Sequence, residues 1–184
     1  MLAVALWSFI AAGSVMVGAL IAFWFDVSRR TLGLIMGFGA GTLISAVAFD
    51  LVLPSAKEAG GTAIFLGLVA GSLTFWGGDR ILARRSGNDD PVVGEHVSGM
   101  PLVLGAALDG VPEAVAIGLT MLGGATVSIA MVVAVFLSNI PEGLAASVGL
   151  LKSGMSKGRI MALWSAIVAV CVVASVIAFT FMGD

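Results

Sequence analysis

Six stretches of the chain, at about 2–25, 31–54, 62–83, 99–122, 124–150 and 159–182, each run for more than twenty residues with little charge. A helix needs about 20 apolar residues to cross the roughly 30 Å of hydrocarbon in a bilayer. Lipid offers no partner for backbone N–H and C=O groups, so segments of this length cross as helices that satisfy their own hydrogen bonds. The expected fold class is all-α: a polytopic transmembrane helix bundle of about six spans, forming a single domain over 1–184. Composition agrees, since 59% of residues are hydrophobic and 11% are charged, against about 25% charged in soluble domains. The first run has no Lys or Arg before it. It is also longer than the core of a secretory signal, so it reads as a first membrane helix.

The segments between the runs are polar or glycine-rich: Asp26 to Arg30, Ser55 to Gly61, Arg84 to Ser98, Gly123-Gly124 and Lys152 to Lys157. Their basic residues are distributed unevenly. Arg29 and Arg30 fall at the first loop, Arg80, Arg84 and Arg85 at the third, and Lys152, Lys157 and Arg159 at the fifth; the even loops hold Lys57 alone. Lys and Arg concentrate on the cytoplasmic side. The odd loops are therefore expected in the cytoplasm and both termini outside. The net charge of −2 gives no electrostatic footprint for nucleic acid. The one cysteine, Cys171, excludes an intramolecular disulfide and a Cys-based zinc site, and reads as a small core or lipid-facing residue. Gly33, Gly37 and Gly41 share a helix face, as do Gly67 and Gly71, and these stripes are read as surfaces for tight helix packing.

Most of the eleven acids lie at ends or in loops. Asp79 sits beside Arg80 and reads as half of an interfacial pair, and His96 as an ordinary loop histidine. Asp50, Asp109, Glu113 and Glu142 remain inside apolar sequence. A carboxylate at the bilayer centre costs roughly 2.5–3.5 kcal/mol on insertion scales, and such residues mark ion or proton paths. Asp109 and Glu113 are four apart, as are Ser138 and Glu142, so each pair shares a helix face. Asn139, three before Glu142, is also a neighbour. Two adjacent carboxylates repel unless a cation or a shared proton lies between them. Pro112 and Pro141 cannot donate to the carbonyls of Leu108 and Leu137, which leaves a free oxygen near each acid. Asp50 lies four residues before Pro54, where it could guard an outer mouth or sit as an interfacial acid near water. The plainer reading of the paired acids is a polar network that joins helices four and five.

The string Ser138-Asn139-Ile140-Pro141-Glu142-Gly143-Leu144-Ala145 resembles the His-Asn-x-Pro-Glu-Gly-x-Ala motif of the ZIP (Zrt/Irt-like) divalent-metal transporters. Asp109-Gly110-Val111-Pro112-Glu113-Ala114 resembles the companion copy on the preceding helix. Phe38-Gly39-Ala40-Gly41 through Phe49-Asp50-Leu51-Val52-Leu53-Pro54 resembles the second helix of that family. The resemblance runs from about 30 to 160. It implies a membrane transporter in the cell's inner (plasma) membrane that moves a divalent metal of the zinc, iron or manganese class toward the cytoplasm. The metal is cargo, and no cofactor is expected. Carried over by position, Asp109 and Ser138 stand where the family has its motif histidines, Gly110 and Asn139 stand next to them, and Glu113 and Glu142 match the glutamates. The expected metal ligands are Asp109, Glu113, Ser138, Asn139 and Glu142, with Asp50 at the outer mouth.

Neither motif histidine is present, so this expected site is all oxygen, a set that suits harder cations such as Mn²⁺ or Mg²⁺. The family has eight spans where six are expected here. A truncated chain would leave one wall of the path open unless a second copy, as a homodimer, filled it. The alternative is a transport-inactive relative acting as a metal sensor or assembly subunit. No HExxH or Gly-x-Gly-Asp pattern supports an enzyme.

Overall fold

The computed structural model describes residues 1–86 and 99–182, together with the side chains of these residues apart from Arg29, Asp79 and 82–102. The expectations for Asp79 and His96 therefore lie outside what is described. The described residues are helical almost throughout and include no strand. Six α-helices follow in order: α1 (Leu2–Trp24), α2 (Arg29–Ala46), α3 (Leu53–Ser86), α4 (Gly99–Leu119), α5 (Ile129–Lys152) and α6 (Lys157–Met182). A π-helical turn, Val47–Val52, joins α2 to α3, and Leu122–Gly124 forms a short 3-10 turn.

Short polar signals begin and end these helices. Ser28 caps α2 by accepting the N–H of Thr31 at 3.1 Å, and Ser128 caps α5 by accepting that of Met131 at 3.1 Å. Each cap satisfies one N–H that the helix itself leaves free. At the other end of α5, Gly154 has φ +87°, with Met155 N–H donating to Leu150 O and Gly154 N–H to Leu151 O, both at 3.0 Å. This paired closure needs a left-handed residue, which glycine supplies at no steric cost. Gly60, with φ 81° and ψ 160°, divides α3 into two helical parts. Pro54 cannot donate to Asp50 O, and the chain answers with a π-turn there, in which the Leu53 N–H donates to Ala48 O.

Four helices build the core. Alpha-5 packs on α1 and α4, and α6 packs on the same two from the other side. Alpha-1 and α4 thus face each other across the bundle, while α5 and α6 hardly meet. Alpha-2 lies outside, against α5. One apolar cluster, with Trp164 fully buried, joins α1, α4, α5 and α6, and the Trp164 Nε1–H donates to Ser147 Oγ at 3.0 Å.

The closest backbone approach is between α1 and α5. A Cβ at Gly18 would overlap the Ile140 carbonyl, and one at Gly143 would overlap the backbone of Val15. On α2 the contact glycine is Gly39, against Ser138 and Leu137. The packing expectation for the glycine stripes is corrected here. A Cβ at Gly33, Gly37, Gly41, Gly67 or Gly71 would meet nothing within 4 Å. Small residues permit close approach without compelling it, and these faces point away from the bundle.

By length and apolar composition, four stretches of the described residues can cross a membrane: Leu2–Trp24, Arg30–Gly78, Ile129–Lys152 and Lys157–Met182. The expected span at 31–54 falls within the second of these, that at 62–83 overlaps it as far as Gly78, and α4 is not among the four.

Candidate metal site between α4 and α5

The two Pro-Glu segments lie on adjacent helices of the bundle. On α4, Glu113 is buried at 9% exposure, Asp109 is half-buried and Pro112 is exposed. On α5, Ser138 and Asn139 are buried, Glu142 is half-buried and Pro141 is buried. Glu113 and Asp109 of α4 and Glu142 of α5 lie within electrostatic reach of one another. One oxygen of each glutamate, Glu113 Oε2 and Glu142 Oε2, is shut off from solvent and has no hydrogen-bond partner among the described residues. Leaving such a group unpaired costs about 1–3 kcal/mol, more if it is charged, so two such oxygens on facing helices call for a physical explanation.

The polar neighbours face elsewhere. Ser138 Oγ donates to Val135 O of its own helix at 3.0 Å. Asn139 Nδ2 donates across the bundle to Ala11 O of α1 at 3.2 Å, which fixes the amide and ties α5 to α1. Among the described residues, no three His, Cys, Asp or Glu side chains converge closely enough to hold one ion. The arrangement is an acidic pair with a third acid nearby, in which side-chain rotation would have to close the set on a cation.

Asp50 belongs to a separate place. It stands on the π-turn and accepts a hydrogen bond from Ser128 Oγ at 2.5 Å. The same hydroxyl caps α5, and Ser128 N–H reaches Thr120 Oγ1 at 3.3 Å. An open cavity of about 420 Å³ lies here, with Asp50, Ser55, Thr120, Thr126 and Ser128 as its polar lining. The carboxylate of Asp50 also faces the N-terminal end of α5, where the helix dipole favours negative charge. Sequence reasoning missed Ser128 and Thr120; the serine just before the apolar run of α5 was the available signal, as a helix cap. Cys171, read from the sequence as a small core or lipid-facing residue, lies in the core. That residue is 1% exposed on α6, and a Cβ at Gly110 of α4 would stand 3.2 Å from its Sγ.

No family model matches the chain, and no solved structure matches it. A curated protein of Arabidopsis thaliana, named "Putative zinc transporter", is 30% identical to it over 168 residues, which cover 89% of this chain and 27% of that protein. The chain thus spans about a quarter of the length of the relative it matches.

Proposed function

We propose that the chain is the ion-binding part of a divalent-metal transporter of ZIP type, with the ion held between α4 and α5 by Glu113 and Glu142. Asp109 adds charge on the same face of α4, and the carbonyls of Leu108 and Leu137, freed by Pro112 and Pro141, are additional oxygens along the path. Asp50 and the hydroxyl-lined cavity beside it attract the cation at the outer mouth. In this reading the chain crosses the membrane six times, with Gly60 dividing the second and third crossings and α4 as the fourth. The odd loops face the cytoplasm, and the resemblance to the ZIP family implies that the ion moves inward.

The observation that carries the reading is the pair of buried, partnerless oxygens on Glu113 and Glu142. A structural network between the helices would satisfy them; a cation site leaves them free for cargo. The zinc transport named for the Arabidopsis relative supports the same class.

The test is uptake of Mn²⁺, Zn²⁺ and Cd²⁺ into proteoliposomes that hold the 184-residue chain. Glu142→Gln is expected to abolish uptake while the protein stays inserted, and unchanged uptake would sink the assignment. Metal binding without flux in the unaltered chain would instead assign it to sensing or assembly.

A further inference from the structure

We propose that the end of the bundle where the α1–α2 and α5–α6 loops meet is a binding surface for anionic phospholipids, with Arg30, Lys152, Lys157 and Arg159 placed to receive the headgroup phosphates. This surface is separate from Glu113 and Glu142 and does not depend on what those residues bind.

The helix directions bring the four basic residues to one end. Ser8 Oγ of α1 donates to Ser175 Oγ of α6 at 2.7 Å, and Lys157 Nζ donates to Phe23 O at 2.9 Å. Alpha-6 therefore runs antiparallel to α1, and its first turn lies at the C-terminal end of α1. Asn139 reaches Ala11, and Gly143 lies against Val15. Alpha-5 therefore runs parallel to α1 and finishes at the same end, with Lys152. Gly39 lies against Ser138, and Asp50, beyond α2, bonds Ser128 at the start of α5. Alpha-2 is thus antiparallel to α5 and begins at that end, with Arg30. Asp50 and its cavity lie at the opposite end, with Lys57 seven residues further on.

Arg30, Lys152, Lys157 and Arg159 are all exposed, and Asp26 is the one acid in the two loops. Trp24 and Phe25 beside them are 79% and 66% exposed. The Lys157 ammonium stands 5.5 Å from the ring centroids of both Phe23 and Trp24. Alpha-1, α5 and α6 are each long and apolar enough to cross a membrane, so their ends stand at the depth of the headgroups. Aromatic and basic side chains there are interfacial anchors, and clustered Lys and Arg attract anionic lipid. Charge complementarity thus names the occupant. A basic bias that served only to orient the chain during insertion would need no convergence of distant loops. Here Lys157 clasps two loops whose bonded residues are 134 apart in sequence.

The experiment places the full chain in bilayers of equal phosphatidylcholine and phosphatidylglycerol and extracts it in maltoside detergent. Mass spectrometry then counts the phospholipid retained on each chain. The expected retention favours phosphatidylglycerol about tenfold, falling to about threefold or less in the double variant Arg30→Gln/Arg159→Gln, since each basic residue near an anionic surface adds several-fold to affinity. That variant leaves the Lys157 bond to Phe23 in place, so the two loops stay joined. Lys57→Gln, at the other end, should leave the preference unchanged.

Equal retention of the two lipids by the unaltered chain would overturn the proposal and leave the basic residues to orientation alone. A preference that survives the double variant, or that Lys57→Gln lowers as much, would place the lipid elsewhere and overturn it too. A preference abolished by inorganic phosphate at constant ionic strength would give the surface to a free anion instead.

Discussion

The two Pro-Glu segments are close copies in sequence and unequal in structure. On α5, Pro141 is buried, Gly143 lies against the backbone of Val15, and Asn139 donates to Ala11 O. That copy is held by α1 on one side, α2 on another and α4 on a third. On α4, Pro112 is exposed and Gly110 meets only the sulfur of Cys171. The glutamates are unequal in the opposite sense, since Glu113 is the more buried and Glu142 the more open. The α5 copy thus anchors the backbone of the bundle, while the α4 copy carries the more enclosed carboxylate.

The comparison predicts its largest difference at the glycines. Gly143→Ala drives a Cβ into the main chain of α1, which cannot yield as a side-chain tip can. A loss of about 3 kcal/mol or more is expected from such overpacking. Gly110→Ala presses only on the Cys171 sulfur and should cost about 1 kcal/mol. Denaturant unfolding of the two variants in micelles measures the gap, and equal losses would erase the anchor role of α5.

The second difference concerns bound metal. A ligand at 100 times its Kd stabilises a folded protein by about 2.7 kcal/mol. Adding Cd²⁺ should raise the unfolding midpoint of the unaltered chain accordingly. Glu113→Gln should abolish that rise and Glu142→Gln should reduce it, because the enclosed carboxylate interacts through a less screened medium. A larger loss in Glu142→Gln would reverse the ranking of the two acids.

The smallest difference is at the prolines. Pro112→Ala restores an N–H to the exposed side of α4 and should stabilise by about 1 kcal/mol. Pro141→Ala gains the same bond but loses buried packing, including the approach of Pro141 Cγ to Gly39, and should come out destabilising by about 1 kcal/mol. Thermal midpoints of opposite sign would sharpen the distinction between the copies, and the same sign in both would blur it.

The ends of several helices were legible in the sequence because they are set by local chemistry. Gly154 closes α5 and Gly60 breaks α3, each at a polar or glycine-rich segment between apolar runs. The relation between Asp109 and Glu113 was legible for the same reason, since helical spacing alone puts both on one face. The packing glycines were not. Gly33, Gly37 and Gly41 form a regular stripe and meet nothing, whereas Gly18 and Gly143 belong to no stripe and make the tightest crossing. Periodicity reports which residues share a face, and it is silent on what that face meets. The cavity beside Asp50 was equally hidden, because it joins a π-turn to a cap 78 residues away in sequence.

The sequence by itself determined that the chain is helical and apolar enough to cross a membrane, and that it carries acids where apolar sequence makes them costly. These follow from composition and short-range spacing, which act within a few turns of helix. The tertiary structure alone decided which acids gather. It set Glu142 of α5 within electrostatic reach of Glu113 and Asp109 of α4, gave Asp50 to Ser128, turned Asn139 toward α1 and brought Cys171 against Gly110. Each of these contacts joins residues on different helices, and their meeting depends on how closely the backbones can approach, a property of the assembled bundle that no single segment carries.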